Sequence, residues 1–179
     1  MQSPSPSRRL QRLVFCALMA ALSILLGKYL AFNVGEWIRI SFENLPILLT
    51  ALYLGPLAGM AVGVAADLIG CLLVGYAINP LITLGAAAVG LMSGLWSTHR
   101  SISAPRLLAA VFLSHLAGSL LIKTLGLSLY YDLPFRLTLG WRALTYALTG
   151  TAEWMLLWAV GRSQALTKEL KRLHPSQGR

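Results

Sequence analysis

The residues able to do chemistry in this chain are few, and most of them interrupt apolar runs. Asp67 stands in the pattern Gly63-x-x-x-Asp67-x-x-Gly70. His115, Ser119 and Lys123 recur every four residues, and Arg142, Tyr146, Thr149 and Glu153 follow at steps of four, three and four. On helices, each of these two sets occupies one face. An ionisable group at membrane depth is costly, so it faces a cavity, a partner or a functional site. Two readings are open. In one, Lys123, Arg142, Asp67 and Glu153 pair with one another and tie a bundle together. In the other, they line a pocket, and its chemistry is then specific. Guanidinium and ammonium groups hold carboxylates, tyrosine and tryptophan rings stack on a planar heterocycle, and Asp or Asn reads its ring nitrogens. Such a pocket suits an anionic, heteroaromatic solute. The lone His115 reads as a satisfied core histidine.

Catalytic constellations are missing from the sequence: it has no HExxH, GxSxG or P-loop motif and no paired carboxylates. Cys16 and Cys71 lie inside apolar runs and read as small hydrophobes. No metal and no cofactor is expected. With no nucleotide site, the chain has no energy source of its own, and a solute-binding protein that depends on partners is the expectation.

The elements that must position these groups follow from composition. Hydrophobic residues make up 56% of the 179 residues and charged ones only 12%, against about 25% charged in a typical soluble domain. Mean hydropathy is +0.68. Fifteen Lys and Arg against six Asp and Glu would suggest nucleic acid in a soluble protein. Here the cations are scattered between apolar runs, so the partner is the lipid bilayer and not nucleic acid. A soluble enzyme, a disordered chain and a DNA-binding domain are excluded. The fold class is an all-α integral membrane protein.

The clearest spans are 13–32, 80–96, 107–129 and 141–160. The stretch 45–74 is too long for one helix, and Gly55-Pro56 breaks it into two. Six transmembrane helices place both termini on one side. Arg8, Arg9 and Arg12, then Arg100 and Arg106, then Arg162, Lys168, Lys171, Arg172 and Arg179 all fall on that side, which the positive-inside rule makes cytoplasmic. The domain plan is a cytoplasmic N-terminal tail (1–11), a six-helix membrane domain (12–162) and a basic cytoplasmic C-terminal tail (163–179). The basic start before an apolar run looks superficially like a secretory signal, but it lacks a small-x-small cleavage site and reads as the first transmembrane helix. Asn44 before Pro46 and Asn79 before Pro80 are expected to cap helix starts.

The expected outer loops are 33–43, 75–79 and 130–140, rich in Trp37, Arg39, Phe42, Glu43, Tyr76, Asn79, Tyr130, Tyr131, Asp132 and Arg136. An interfacial aromatic belt accounts for some of these rings. Small residues make other faces thin: Ala17 and Ala21 on the first helix, with Ala20, Ser23 and Gly27, and Gly85, Gly90 and Gly94 with Ala86, Ala87 and Ala88 on the fourth. Such spacing lets another helix approach closely.

Two runs carry a family resemblance: Arg39-Ile40-Ser41-Phe42-Glu43-Asn44-Leu45-Pro46, and Leu54-Gly55-Pro56-Leu57-Ala58-Gly59 followed by Gly63, Asp67 and Gly70. Together they resemble the substrate-binding S component of energy-coupling factor (ECF) vitamin transporters. They are most similar to the folate branch, where an Arg-x-x-Phe-x-x-x-Pro start leads into Gly-Pro and Gly-x-x-x-Asp-x-x-Gly. The resemblance covers residues 12–162. One departure is the third loop, Tyr76-Ala77-Ile78-Asn79-Pro80, where many folate-branch members carry a Gly-, Pro- and aromatic-rich segment.

The resemblance implies a compact six-helix fold with an outward-facing vitamin pocket capped by loops one, three and five, in the plasma membrane of a prokaryote. It implies a site made by Arg39, Phe42, Asp67, Tyr76, Asn79, Lys123, Tyr131 and Arg142. It also implies a transport subunit, not an enzyme, that assembles with a transmembrane coupling subunit and two cytoplasmic ATPase subunits. Ala17 and Ala21 match the family's Ala-x-x-x-Ala signature on the first helix and would dock on the coupling subunit. The alternatives are an S component for another vitamin such as pantothenate, or a small structural membrane protein of the cell-shape machinery, in which the polar stripes pair fully with each other. A membrane-embedded enzyme of lipid metabolism lacks the acidic metal motif or nucleophile–base pair it would need.

Overall fold

Prolines and glycines cut the apolar sequence into its helices. The computed structural model of the chain describes residues 6–34, 38–97 and 103–163. Trp37, Arg100, Lys168, Lys171, Arg172 and Arg179, and with them nearly all of the basic C-terminal tail, lie outside the described residues. The helices are α1 (Pro6–Tyr29), α2 (Asn44–Leu54), α3 (Pro56–Val74), α4 (Pro80–Ser97), α5 (Ala104–Tyr131) and α6 (Phe135–Arg162). Gly55 takes φ 97° with its N–H on the Ala51 carbonyl at 3.1 Å, and Pro56 opens α3 directly behind it. The break expected in 45–74 is therefore real, and it is as tight as a chain allows.

α1, α3 and α5 are long and apolar enough to cross a membrane. α2 has only 11 residues, about 16 Å at 1.5 Å per residue, roughly half the hydrocarbon thickness. Eight of those residues are buried, so α2 serves as a core element more than as a lipid-facing span.

Several expected boundaries shift. α1 begins at Pro6, within the segment read as a tail. α5 continues to Tyr131 and α6 starts at Phe135, so the expected loop 130–140 shrinks to residues 132–134, with Asp132 in the left-handed region at φ 53°. The connection 33–43 contains a short hairpin, β1 (Phe32–Val34) antiparallel to β2 (Ile38–Ile40), with Asn33 opposite Arg39. Asn79 caps α4 as expected, its Oδ1 accepting the Leu81 N–H at 3.0 Å and the Ile82 N–H at 3.4 Å. Asn44 does not cap α2. It lies inside the first turn, buried, and its Oδ1 has no partner among the described residues.

α1 and α5 each contain a π-helical stretch, Leu25–Tyr29 and His115–Ile122. Four-residue periodicity does not reveal such a shift in the backbone ladder.

α4 is the centre of the bundle, and glycine makes that possible. A Cβ on Gly90 would lie 2.3 Å from the Gly59 carbonyl carbon and oxygen, one on Gly63 2.5 Å from the Ala86 carbonyl oxygen, and one on Gly118 2.5 Å from the Gly85 carbonyl oxygen. These are backbone-to-backbone crossings of α3 with α4 and of α4 with α5. Backbone cannot yield as a flexible side chain does. Gly90→Val is therefore expected to destabilise by about 3 kcal/mol or more, seen as a lowered Tm of the detergent-solubilised protein. Gly140→Ala, with nothing within 4 Å of its Cβ, serves as the control. Equal Tm values for the two variants would refute this packing.

Ile47, Leu48, Val62, Val89, Val111 and Leu157 form the buried core, while leucines such as Leu13, Leu57 and Leu72 are exposed on the outside. An apolar exterior of this kind is stable only against lipid.

Candidate functional site

The bundle and its connections line a cavity of about 530 Å³. β2 contributes Arg39, and the segment behind it contributes Ser41 and Glu43. The π-helical end of α1 contributes Lys28, and α3 contributes Asp67 and Cys71. Tyr76 and Asn79 come from the α3–α4 connection, Lys123 and Tyr131 from α5, and Thr138, Arg142 and Tyr146 from α6. Arg39, Asp67, Tyr76, Asn79, Lys123, Tyr131 and Arg142 thus share one cavity. Phe42 is not on its wall; it is half-buried, and its carbonyl accepts the Leu45 N–H at 3.1 Å where α2 begins.

The four charges at membrane depth do not pair with one another. Lys123 Nζ donates to Glu43 Oε1 at 2.9 Å. Asp67 Oδ2 accepts the Thr83 hydroxyl at 2.6 Å. Glu153 Oε2 lies 2.5 Å from His115 Nε2. Arg142 donates through one terminal nitrogen to the Ser119 carbonyl at 2.8 Å and to the Tyr146 hydroxyl at 3.0 Å. The polar stripes of α5 and α6 do face each other, as their periodicity indicated.

Lys123 is 5% exposed and its charge is already answered by Glu43. Glu43 sits in the connection before α2, where burial pushes its carboxyl up. The Lys123 charge and hydrogen bond, with Arg39 and Lys28 nearby, more than offset that and hold it at about 2. Glu43 is therefore a carboxylate throughout the physiological range, and the pair is neutral as a unit. The remaining cations of the wall are engaged differently. Arg39 donates to the Gly27 carbonyl. Lys28 Nζ lies 3.7 Å from Cys71 Sγ and 5.5 Å from the Tyr76 ring centroid. The Arg142 guanidinium lies 5.1 Å from the Tyr146 ring centroid, a cation–π contact. Two buried polar atoms on the α6 wall have no partner among the described residues, Arg142 Nε and Thr138 Oγ1, one helical turn apart.

Asn79 does two jobs. While Oδ1 caps α4, Nδ2 donates to the Gly126 carbonyl of α5 at 3.0 Å, so its amide is spent on fixing the wall.

The residue pattern did not point to Lys28 or Thr138 as wall residues, and Cys71 reads from it as a small hydrophobe. Lys28 falls inside the expected span 13–32 with no four-residue partner to mark it, and Thr138 falls in the expected loop 130–140, because α6 was expected to start later. Had α6 been started at Phe135, the four-residue step from Thr138 to Arg142 would have extended the polar stripe by one turn.

On the outside of the bundle, Ala17 and Ala21 are exposed on α1. With Leu13, Cys16, Ala61, Ala65, Ile69 and Leu73 they shape an apolar groove between α1 and α3, also of about 530 Å³.

Residues 11–168 match the family model for the ECF transporter, substrate-specific component. No curated protein sequence matches the chain. Among solved structures, FolT bound with folic acid is 21% identical, with a TM-score of 0.70 over 83% of this chain and 91% of that one. ThiT from Listeria monocytogenes is 16% identical, with a TM-score of 0.72 over 93% and 99%. An S component for biotin from an ECF-type ABC transporter is 16% identical, with a TM-score of 0.63 over 91% and 95%. At these identities the likeness is one of fold.

Proposed function

The chain belongs to the substrate-specific components of ECF transporters, and from that membership we propose that it captures folate at the outer face of a prokaryotic plasma membrane and delivers it inward with an ATP-driven module. The basic residues described at the start of α1, the start of α5 and the end of α6 support an orientation with both termini in the cytoplasm. Loops between β1 and α2, α3 and α4, and α5 and α6 then lie outside, over the cavity.

The observation that carries the folate reading is the make-up of the cavity wall. Its volume suits a ligand of drug size. Three tyrosines, Tyr76, Tyr131 and Tyr146, offer ring surface. Four cations, Lys28, Arg39, Lys123 and Arg142, face two carboxylates, Glu43 and Asp67, which leaves an excess of positive charge for an anionic solute. Arg142 Nε and Thr138 Oγ1 are donors without a partner among the described residues. Arg39 and Arg142 serve the carboxylates, the tyrosines stack on the rings, and Asp67 reads a ring nitrogen. Lys123, paired as it is, contributes through Glu43 as much as by its own charge.

The apolar groove at Ala17 and Ala21 supports docking on a transmembrane coupling subunit, which in turn carries two cytoplasmic ATPase subunits. The chain itself shows no nucleotide-binding motif, in keeping with a transport subunit that borrows its energy.

Tritiated folic acid added during extraction is expected to co-purify with the detergent-solubilised protein at close to one mole per mole. Failure to retain micromolar folic acid, with retention of pantothenate, biotin or another vitamin, would move the assignment within the family.

A further inference from the structure

We propose that His115 and Glu153 are positioning residues of the ligand cavity, a buried pair that sets the direction of Arg142 and the plane of Tyr146 without touching the ligand. Its consequence for binding rests on the reading of the cavity as a ligand site; its consequence for the cavity wall does not.

Neither residue lines the cavity. Glu153 is fully buried and His115 is 2% exposed. A carboxyl group in such a place is costly unless it is bonded; here Oε2 meets His115 while Oε1 has no partner among the described residues, and replacing a buried polar pair by apolar side chains of similar size often costs a fold nothing. Stability is therefore a weak reason for the pair. What it adds is direction, and the contacts show where that direction leads.

A hydrogen bond joins Glu153 Oε2 to His115 Nε2 across 2.5 Å. The imidazole is thereby fixed in plane, with Nδ1 3.3 Å from the Ser119 hydroxyl. Its face then carries the Tyr146 ring, with centroids 5.0 Å apart and planes inclined by 27°. Tyr146 in turn accepts a hydrogen bond from Arg142 through its hydroxyl and holds the guanidinium over its ring. Ser119 adds a second route, because its hydroxyl meets His115 while its carbonyl accepts from Arg142. Both routes start at one buried pair and end at one cavity cation. They cross the π-helical stretch His115–Ile122, which displaces the α5 backbone from regular α geometry where the Ser119 carbonyl is used.

The first test needs no ligand. In protein labelled with 13C-tyrosine, with the Tyr146 ring signal assigned through Tyr146→Phe, Glu153→Leu and His115→Phe are expected to move that signal and leave the Tyr53 signal in place. An unmoved Tyr146 signal in both variants overturns the proposal.

The second test is a double-mutant cycle read by equilibrium dialysis of tritiated folic acid. Glu153→Leu is expected to weaken binding about tenfold in the wild-type background and hardly at all in an Arg142→Ala background, because coupled residues are not additive. Glu153→Gln, which keeps an oxygen for His115, should retain most of the affinity. A loss of the same size in both backgrounds would mean a merely structural role and would overturn the proposal. If the wild-type protein binds no folic acid, the folate reading falls and the tyrosine signal still decides the positioning role.

Discussion

Arg142→Ala is expected to lower the retention of folic acid by about a hundredfold while the protein still extracts as a folded, monodisperse species. A hydrogen bond to a charged group contributes about 1.5–3 kcal/mol, and each 1.4 kcal/mol is a factor of ten in affinity. A ligand carboxylate on the guanidinium gains at least one such bond, and the loss of Arg142 also releases the Tyr146 hydroxyl from its partner at 3.0 Å. The stability cost is smaller, since Arg142 is only half-buried and forms no ion pair with a protein carboxylate among the described residues. Lys123→Met should behave in the opposite way. It strands the Glu43 carboxylate without its partner, so Tm falls more than affinity does. Equilibrium dialysis and thermal unfolding on the same preparations separate the two effects. Unchanged affinity in Arg142→Ala would remove this residue from the site.

Ala17→Trp is expected to abolish uptake in cells that also produce an energising module, and to leave folic acid retention by the purified protein unchanged. Ala17 and Ala21 are exposed one turn apart on α1, on the rim of a groove whose exposed lining is nearly all apolar. An indole at this position fills the space that a second helix needs, and membrane helices associate through close van der Waals packing of such small residues. The ligand cavity draws on α1 through Lys28, three turns further on, and on none of the groove residues. The proposed binding and coupling surfaces are thus on separate faces. Lost retention in Ala17→Trp would show that the two faces are not independent, and full uptake would place the docking surface elsewhere.

Much of this architecture can be read from residue order because it depends on neighbours along the chain. Gly55-Pro56 ends one helix and starts the next through φ and a missing N–H, and Asn79 before Pro80 caps a helix through atoms two and three residues away. The stripes Ser119–Lys123 and Arg142–Tyr146 follow from helical periodicity, and so does their meeting in a common interior. Composition alone places the chain in lipid, since 56% hydrophobic residues leave no other solvent for its surface.

Partner choice is a different matter, because it depends on approach between segments far apart in sequence. Glu43 and Lys123 are 80 residues apart and His115 and Glu153 are 38 apart. No local pattern distinguishes those pairings from Lys123 with Asp67 or Arg142 with Glu153. Asn44 shows the converse failure: its capping signature is sound, but the chain enters α2 one residue earlier and buries the amide instead. The late start assigned to α6 hid Thr138, and the π-helical stretches have no signature in side-chain spacing. Residue order thus determines the solvent, the helices and the faces that carry charge. Which cations remain available to a ligand is settled only when helices meet in three dimensions, because a charge is answered by whatever lies within hydrogen-bonding distance.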